Sequence, residues 1–178
     1  MQKVNYQKEM EKIIEKCKKQ KEVPTLLLHS CCAPCSSAVL ERLAEDFRIT
    51  VLYYNPNIAP QTEYENRIKE QERFVRELPA KYPISFLAGE YDTKRFYDAV
   101  KGMESLPEGG ERCFVCYELR LRETARLAKE HGFDFFTTTL SISPLKKADK
   151  LNEIGGRLVE EYGVSYLFSD FKKKEGYK

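Results

Sequence analysis

Residues 29 to 37 read HSCCAPCSS, which places Cys31, Cys32 and Cys35 within five positions. A second pair, Cys113 and Cys116, stands in ERCFVCYELR at a three-residue spacing that brings both to one face of a helix across one turn. Neighbouring thiols oxidise easily, so a chain needing only small apolar residues there is better served by Ala or Val. Clustered sulfurs point instead to metal or redox chemistry. The unpaired N–H groups and positive dipole end at a helix start favour thiolate over thiol for the second pair. Three chemistries use such groups. A tetrahedral zinc site takes Cys32, Cys35, Cys113 and Cys116 and leaves Cys31 over. A thiol–disulfide exchanger needs one C-x-x-C and leaves the other pair idle. An iron–sulfur cluster takes Cys31, Cys32, Cys113 and Cys116 and leaves Cys35 beside it for a second metal or for chemistry. The cysteines alone put zinc and iron–sulfur roughly level. Cys17 stands apart, because with Met10, Ile13 and Ile14 it makes an i, i+3, i+4, i+7 stripe and reads as a buried small hydrophobe.

The elements that must hold these residues follow from hydrophobic periodicity. A first helix occupies residues 1–20, TLLLHS (25–30) reads as a buried strand, Ser36 to Phe47 as a helix and ITVLYYN (49–55) as a strand. Thr62 and Glu65 form a T-x-x-E capping box that predicts a third helix to about Glu77, ended by Pro79 and Pro83. ISFLAGEYD is a third strand, Thr93 to Met103 a short helix, and ESLPEGGER a polar loop. A long helix from about Cys113 to His131 stops at Gly132, FDFFTTTL is a fourth strand, Leu145 to Tyr162 a helix stopped by Gly163, and VSYLFSD a fifth strand. This alternation predicts one α/β domain over 1–178, a Rossmann-like three-layer sandwich with a mostly parallel sheet of about five strands covered on both faces. In such sheets ligands bind at the carboxyl ends of the strands. That rule puts CCAPC, with Pro34 suited to the first turn of the helix that follows, on one rim with the loops NPNIAPQTEYENR, GEYD and SISP.

Composition sets the limits. A hydrophobic content of 42% beside 33% charged residues is that of a folded globular chain, which excludes extended disorder. The N-terminal residues lack the apolar core of a signal peptide and no apolar run reaches the length of a membrane span, so the expectation is a cytoplasmic protein without a membrane partner. In that reducing setting the six cysteines are not a disulfide framework. The net charge of +2 neither requires nor excludes nucleic acid, although lysine runs near residues 146 and 172 and a basic tail over 171–178 offer a local positive face.

Taken together, the segments LLLHSCCAPCSS, YYNPNIAPQTEYENR, GEYD, GGERCFVCYELRL, FDFFTTTLSISPLKK and DFKKKEGYK resemble, in order and over nearly the whole chain, the cobalamin-independent epoxyqueuosine reductases of the QueH type. The resemblance implies an oxidoreductase that converts the epoxide of epoxyqueuosine, at the wobble position of tRNA anticodons, to the cyclopentene of queuosine. It also implies a 4Fe-4S cluster on Cys31, Cys32, Cys113 and Cys116, without cobalamin. Family members commonly continue past FKKKEGY to a closely spaced cysteine pair, whereas this sequence stops at Lys178. The expectation is either a shortened chain or a member without a local electron relay or lid.

Turning an epoxide into an alkene takes two electrons and two protons, so this chemistry needs an electron donor, which the sequence does not identify. A Lewis acid on the epoxide oxygen would weaken its C–O bonds, and Cys35 and Asp92 are the residues chosen to hold such a mononuclear ion, iron or zinc. Asp92 has helix capping just before Thr93 as its alternative role. For the RNA, Tyr53 or Tyr54 can stack on an extruded base, with Asn55 in the turn beside them, and Arg67, Arg112, Arg120 and Arg122 can meet phosphates. Apart from Arg112, which neighbours the cysteine pair, each arginine reads first as part of a solvated helix face. His29 ends a buried strand and reads first as a satisfied core histidine. Two rivals belong to other classes. The layout is related to PP-loop and adenine nucleotide hydrolase-like folds that act in tRNA sulfur transfer, but HSCCAPCSS has no glycine where their phosphate cradle needs it. The other rival is a zinc-stabilised RNA-binding module.

Overall fold

The computed structural model describes residues 6–20, 23–30, 33–56, 58, 60–78, 80, 82–89, 93–102, 111–140 and 148–167. Along them run α1 (Tyr6–Lys19), β1 (Thr25–Ser30), α2 (Ala33–Leu43), β2 (Arg48–Tyr53), α3 (Gln61–Glu77), β3 (Ser85–Ala88), α4 (Thr93–Ala99), α5 (Glu111–His131), β4 (Phe135–Thr138), α6 (Ala148–Tyr162) and β5 (Ser165–Tyr166). The strands pair in parallel in the order β3-β2-β1-β4-β5, so the first strand formed is the centre of the sheet. The chain builds outward through β2 and β3, then crosses back to lay β4 and β5 on the other side of β1.

A central parallel strand is buried on both faces, which is why Leu26, Leu27 and Leu28 stand in succession rather than alternating with polar residues. The two-residue period of a strand sends Leu26 and Leu28, with Ile49 and Val51, into a core closed by Met10 of α1, Leu40 and Leu43 of α2 and Val75 of α3. Leu27, Leu52 and Phe136 face the opposite core, closed by Leu121 and Ala125 of α5 and Ile154 and Leu158 of α6. The Rossmann-like three-layer sandwich is therefore the observed architecture. At the amino edge, Asp134 accepts hydrogen bonds from the Thr25 N–H (2.9 Å) and hydroxyl (3.2 Å), while the Thr25 hydroxyl oxygen accepts from the Asp134 N–H (2.9 Å). This reciprocal clasp fixes the register of β4 against β1.

Gly132 and Gly163 end α5 and α6 as anticipated, with φ of 74° and 75° in the left-handed region that a Cβ disfavours. The capping box at Thr62 is not formed. Pro60 is the N-cap of α3, with extended backbone (φ −75°, ψ 178°) and no side-chain cap, and its carbonyl accepts the N–H groups of Glu63 (3.0 Å) and Tyr64 (3.2 Å). The helix thus opens ahead of Thr62 and leaves that residue inside its first turn. Several boundaries also move. α2 begins at Ala33 rather than Ser36 and ends at Leu43 rather than Phe47, and α4 ends at Ala99 rather than Met103. Cys17 is half-buried beside Ile13, Val23 and Phe135 in a groove at the amino edge, a milder burial than its stripe predicts. The lysine runs and the 171–178 tail lie outside the described residues. No helix among the described residues is long and apolar enough to cross a membrane.

Leu27 is fully buried in the central strand. Leu27→Ala is expected to lower the free energy of unfolding by about 2–5 kcal/mol, seen as a lower urea midpoint at unchanged m-value.

Candidate functional site

The strand order reverses between β1 and β4, and in an open parallel sheet the crevice outside the carboxyl ends at that reversal is where ligands bind. The chain passes from Ser30, the last residue of β1, directly into Cys31 and Cys32. These two cysteines and Asp92 lie outside the described residues. Cys35 in α2, and Arg112 and Cys113 in α5, are described through their backbone. Cys116 is described in full, and it is 7% exposed. Among the described residues, no three His, Cys, Asp or Glu side chains stand together as a metal-ligating group.

His29 is completely buried, as its core reading requires. Its Nε2 lies 2.9 Å from the Tyr54 carbonyl, which can only accept, so Nε2 carries the proton. Nδ1 lies 3.0 Å from the Thr138 hydroxyl, whose oxygen also accepts the Leu140 N–H at 3.1 Å. One imidazole thereby ties the carboxyl ends of β1, β2 and β4 together. Tyr64 of α3 adds β3 to the set, donating to the carbonyls of Tyr53 (3.1 Å) and Gly89 (3.2 Å).

Asn55, 1% exposed, joins the carboxyl end of β1 to α5. Its Nδ2 donates to the Ser30 carbonyl at 3.0 Å, and its Oδ1 accepts from Arg120 Nη1 at 3.1 Å. Arg120 itself is 5% exposed, which corrects the expectation of a solvated helix face. The reason is its phase on α5: Cys116, Tyr117, Arg120, Leu121, Thr124, Ala125 and Ala128 are all buried and fall on one helical stripe. That face is readable in the sequence, and Arg120 is a charged residue within it, with the buried Glu123 at its border. Ser30 and Cys116 thus stand at the same carboxyl edge, separated by one side-chain bridge and one helical turn. A shared thiolate site for Cys31, Cys32, Cys113 and Cys116 requires this convergence, and a soft, all-sulfur donor set fits an iron–sulfur cluster.

The other nominated residues take different places. Tyr54 is 2% exposed and forms a wall of a cavity of about 250 Å³ with Leu87, Gly89, Arg95, Glu123 and Arg126. There Glu123 pairs with Arg95 at 3.2 Å and with Arg126. Tyr53 is also buried. Arg67 is half-exposed on α3 and bound to Glu63 at 2.9 Å, and this hydrogen bond raises its guanidinium above the ordinary value. Arg122 pairs with Glu161, which raises it likewise.

The fold defines a doubly wound α/β protein whose central strand, at the switch point of the sheet, runs in sequence directly into a pair of cysteines. A family model described as epoxyqueuosine reductase QueH matches residues 26–178. An epoxyqueuosine reductase QueH of Staphylococcus epidermidis is 43% identical over 181 residues, covering 99% of this chain and 76% of that protein. The protein of the same name from Streptococcus pyogenes is 41% identical over 179 residues (99% and 70%), and that from Thermotoga maritima 36% over 159 residues (86% and 78%). The chain belongs to the epoxyqueuosine reductase QueH family.

Removing the Asn55 amide takes one hydrogen bond from the Ser30 carbonyl and the acceptor from Arg120 Nη1 at a buried position. Asn55→Ala is expected to cost about 1–3 kcal/mol. Arg67→Ala, on the solvated face of α3, is expected to stay within about 0.5 kcal/mol of wild type. Chemical denaturation of the two variants side by side checks the contrast.

Proposed function

We propose that this protein reduces the epoxide of epoxyqueuosine in the tRNA anticodon to the alkene of queuosine, with a 4Fe-4S cluster held by Cys31, Cys32, Cys113 and Cys116 and no cobalamin. Family membership supports the reaction. The bridge from Ser30 through Asn55 to Arg120 is the observation that carries the site, since it draws the two cysteine-bearing elements to one edge. When bound, the cluster supplies single-electron reducing chemistry. The overall change consumes two electrons and two protons and releases the epoxide oxygen as water, so an external electron donor is a required partner.

The chain's own residues shape where this takes place. Asn55 has both polar ends engaged and acts by holding the backbone that leads into Cys31, rather than by touching RNA. His29 locks the strand ends beneath the crevice in one tautomer. Tyr54 walls the neighbouring cavity, and Arg67, half-exposed on α3, is available to exchange Glu63 for a phosphate. Arg112, in the first turn of α5, is assigned to the RNA on the strength of its place beside Cys113. Cys35 and Asp92 are assigned to an additional mononuclear ion, iron or zinc, that would polarise the epoxide oxygen.

Protein purified without oxygen is expected to be brown and to contain about four irons and four sulfides per chain. Its visible absorption should bleach with dithionite, and it should convert epoxyqueuosine-tRNA when that reductant is supplied. Cys116→Ser is expected to lose most of the iron and the turnover together. A colourless protein with stoichiometric zinc, inactive after anaerobic iron–sulfur reconstitution, would overturn the proposal.

A further inference from the structure

Arg120 is a buried guanidinium without an ion pair among the described residues, and the buried carboxylate three positions on along α5, Glu123, is taken up by Arg95 and Arg126. Its Nη1 reaches the neutral Asn55 amide oxygen, its Nε is buried without a hydrogen-bond partner, and among the described residues it makes no ion pair with a carboxylate. A guanidinium is a fixed positive charge, and burying one beside a single neutral partner is costly unless an anion joins it. RNA phosphates are a poor match, because arginines that meet them reach solvent and Arg120 is 5% exposed. The elements it links are those that carry the cysteines. Through Asn55 it is joined to the residue before Cys31, and Cys116 precedes it by four positions on α5, a spacing that sets Cβ atoms about 6 Å apart.

We propose that Arg120 is the built-in counter-charge for an anionic, thiolate-bound group at Cys31, Cys32, Cys113 and Cys116, and that it retains the group both by its charge and by orienting Asn55. This rests on the iron–sulfur reading above, since a cluster ligated by four thiolates is a net anion. Arg120 is then a positioning residue. Its charge destabilises the protein while the site is empty of metal and stabilises it once the site is filled. A purely structural arginine would stabilise both states.

The experiment compares wild type, Arg120→Met and Arg120→Lys. In metal-free protein, Arg120→Met is expected to melt at or above the wild-type temperature, because the desolvated charge it removes outweighs the one hydrogen bond lost to Asn55. After anaerobic reconstitution, iron release to a chelator is expected to be roughly 10- to 100-fold faster in Arg120→Met than in wild type, with Arg120→Lys between the two. A metal-free Arg120→Met that melts below wild type or does not fold assigns Arg120 a structural partner within the chain and overturns the inference. Equal release from all three proteins overturns it as well, while leaving the iron–sulfur reading intact. A wild-type protein that takes up no iron overturns that reading, and the counter-charge with it.

Discussion

The Asn55 carboxamide is the joint on which the candidate site depends. It is a single buried group with one donor end and one acceptor end in use, and the two ends lead to parts of the chain far apart in sequence. Nδ2 holds the Ser30 carbonyl at the tip of the central strand, and Oδ1 receives the Arg120 guanidinium from α5. In water such a bond is worth little, because solvent competes for both partners. At a buried position water does not compete in this way, so the bridge becomes directional and costly to break.

The surrounding fold makes that joint rigid. β1 is hydrogen-bonded on both sides, to β2 and β4, and its side chains feed both cores, so its carboxyl end cannot drift without disturbing the whole sheet. His29 ties that end laterally, and Tyr64 draws in β3. α5 is pressed on the sheet by the stripe that includes Tyr117, Leu121 and Ala125. With strand and helix both fixed by packing, a short polar bridge suffices to tie the tip of β1 to α5.

Much of this was legible from the residues. The apolar run TLLLHS announced a strand covered on both faces, and the alternation of strand-like and helix-period segments announced the parallel sheet. Gly132 and Gly163 marked helix ends, as their positive φ bears out. The resemblance read from the spaced motifs agrees with the family match over residues 26–178. The capping box at Thr62 misled because the same local pattern occurs wherever Thr and Glu fall three apart. Pro60, with its carbonyl free to open the first turn, began the helix sooner.

By itself the sequence determined the class of fold and the family, because periodicity, spacing and motif order are properties of the chain read in one dimension. It also held the clue to Arg120, a charge inside an apolar stripe, but a lone charged residue at such a position is as often a snorkelling side chain as a buried one. Only the tertiary structure decided between these. Whether a guanidinium reaches water or is sealed in depends on what packs over it, and whether Asn55 serves a turn or bridges two elements depends on residues 25 and 65 positions away. Those are properties of packing in three dimensions, where the desolvation of each polar group is set by neighbours that local sequence does not name.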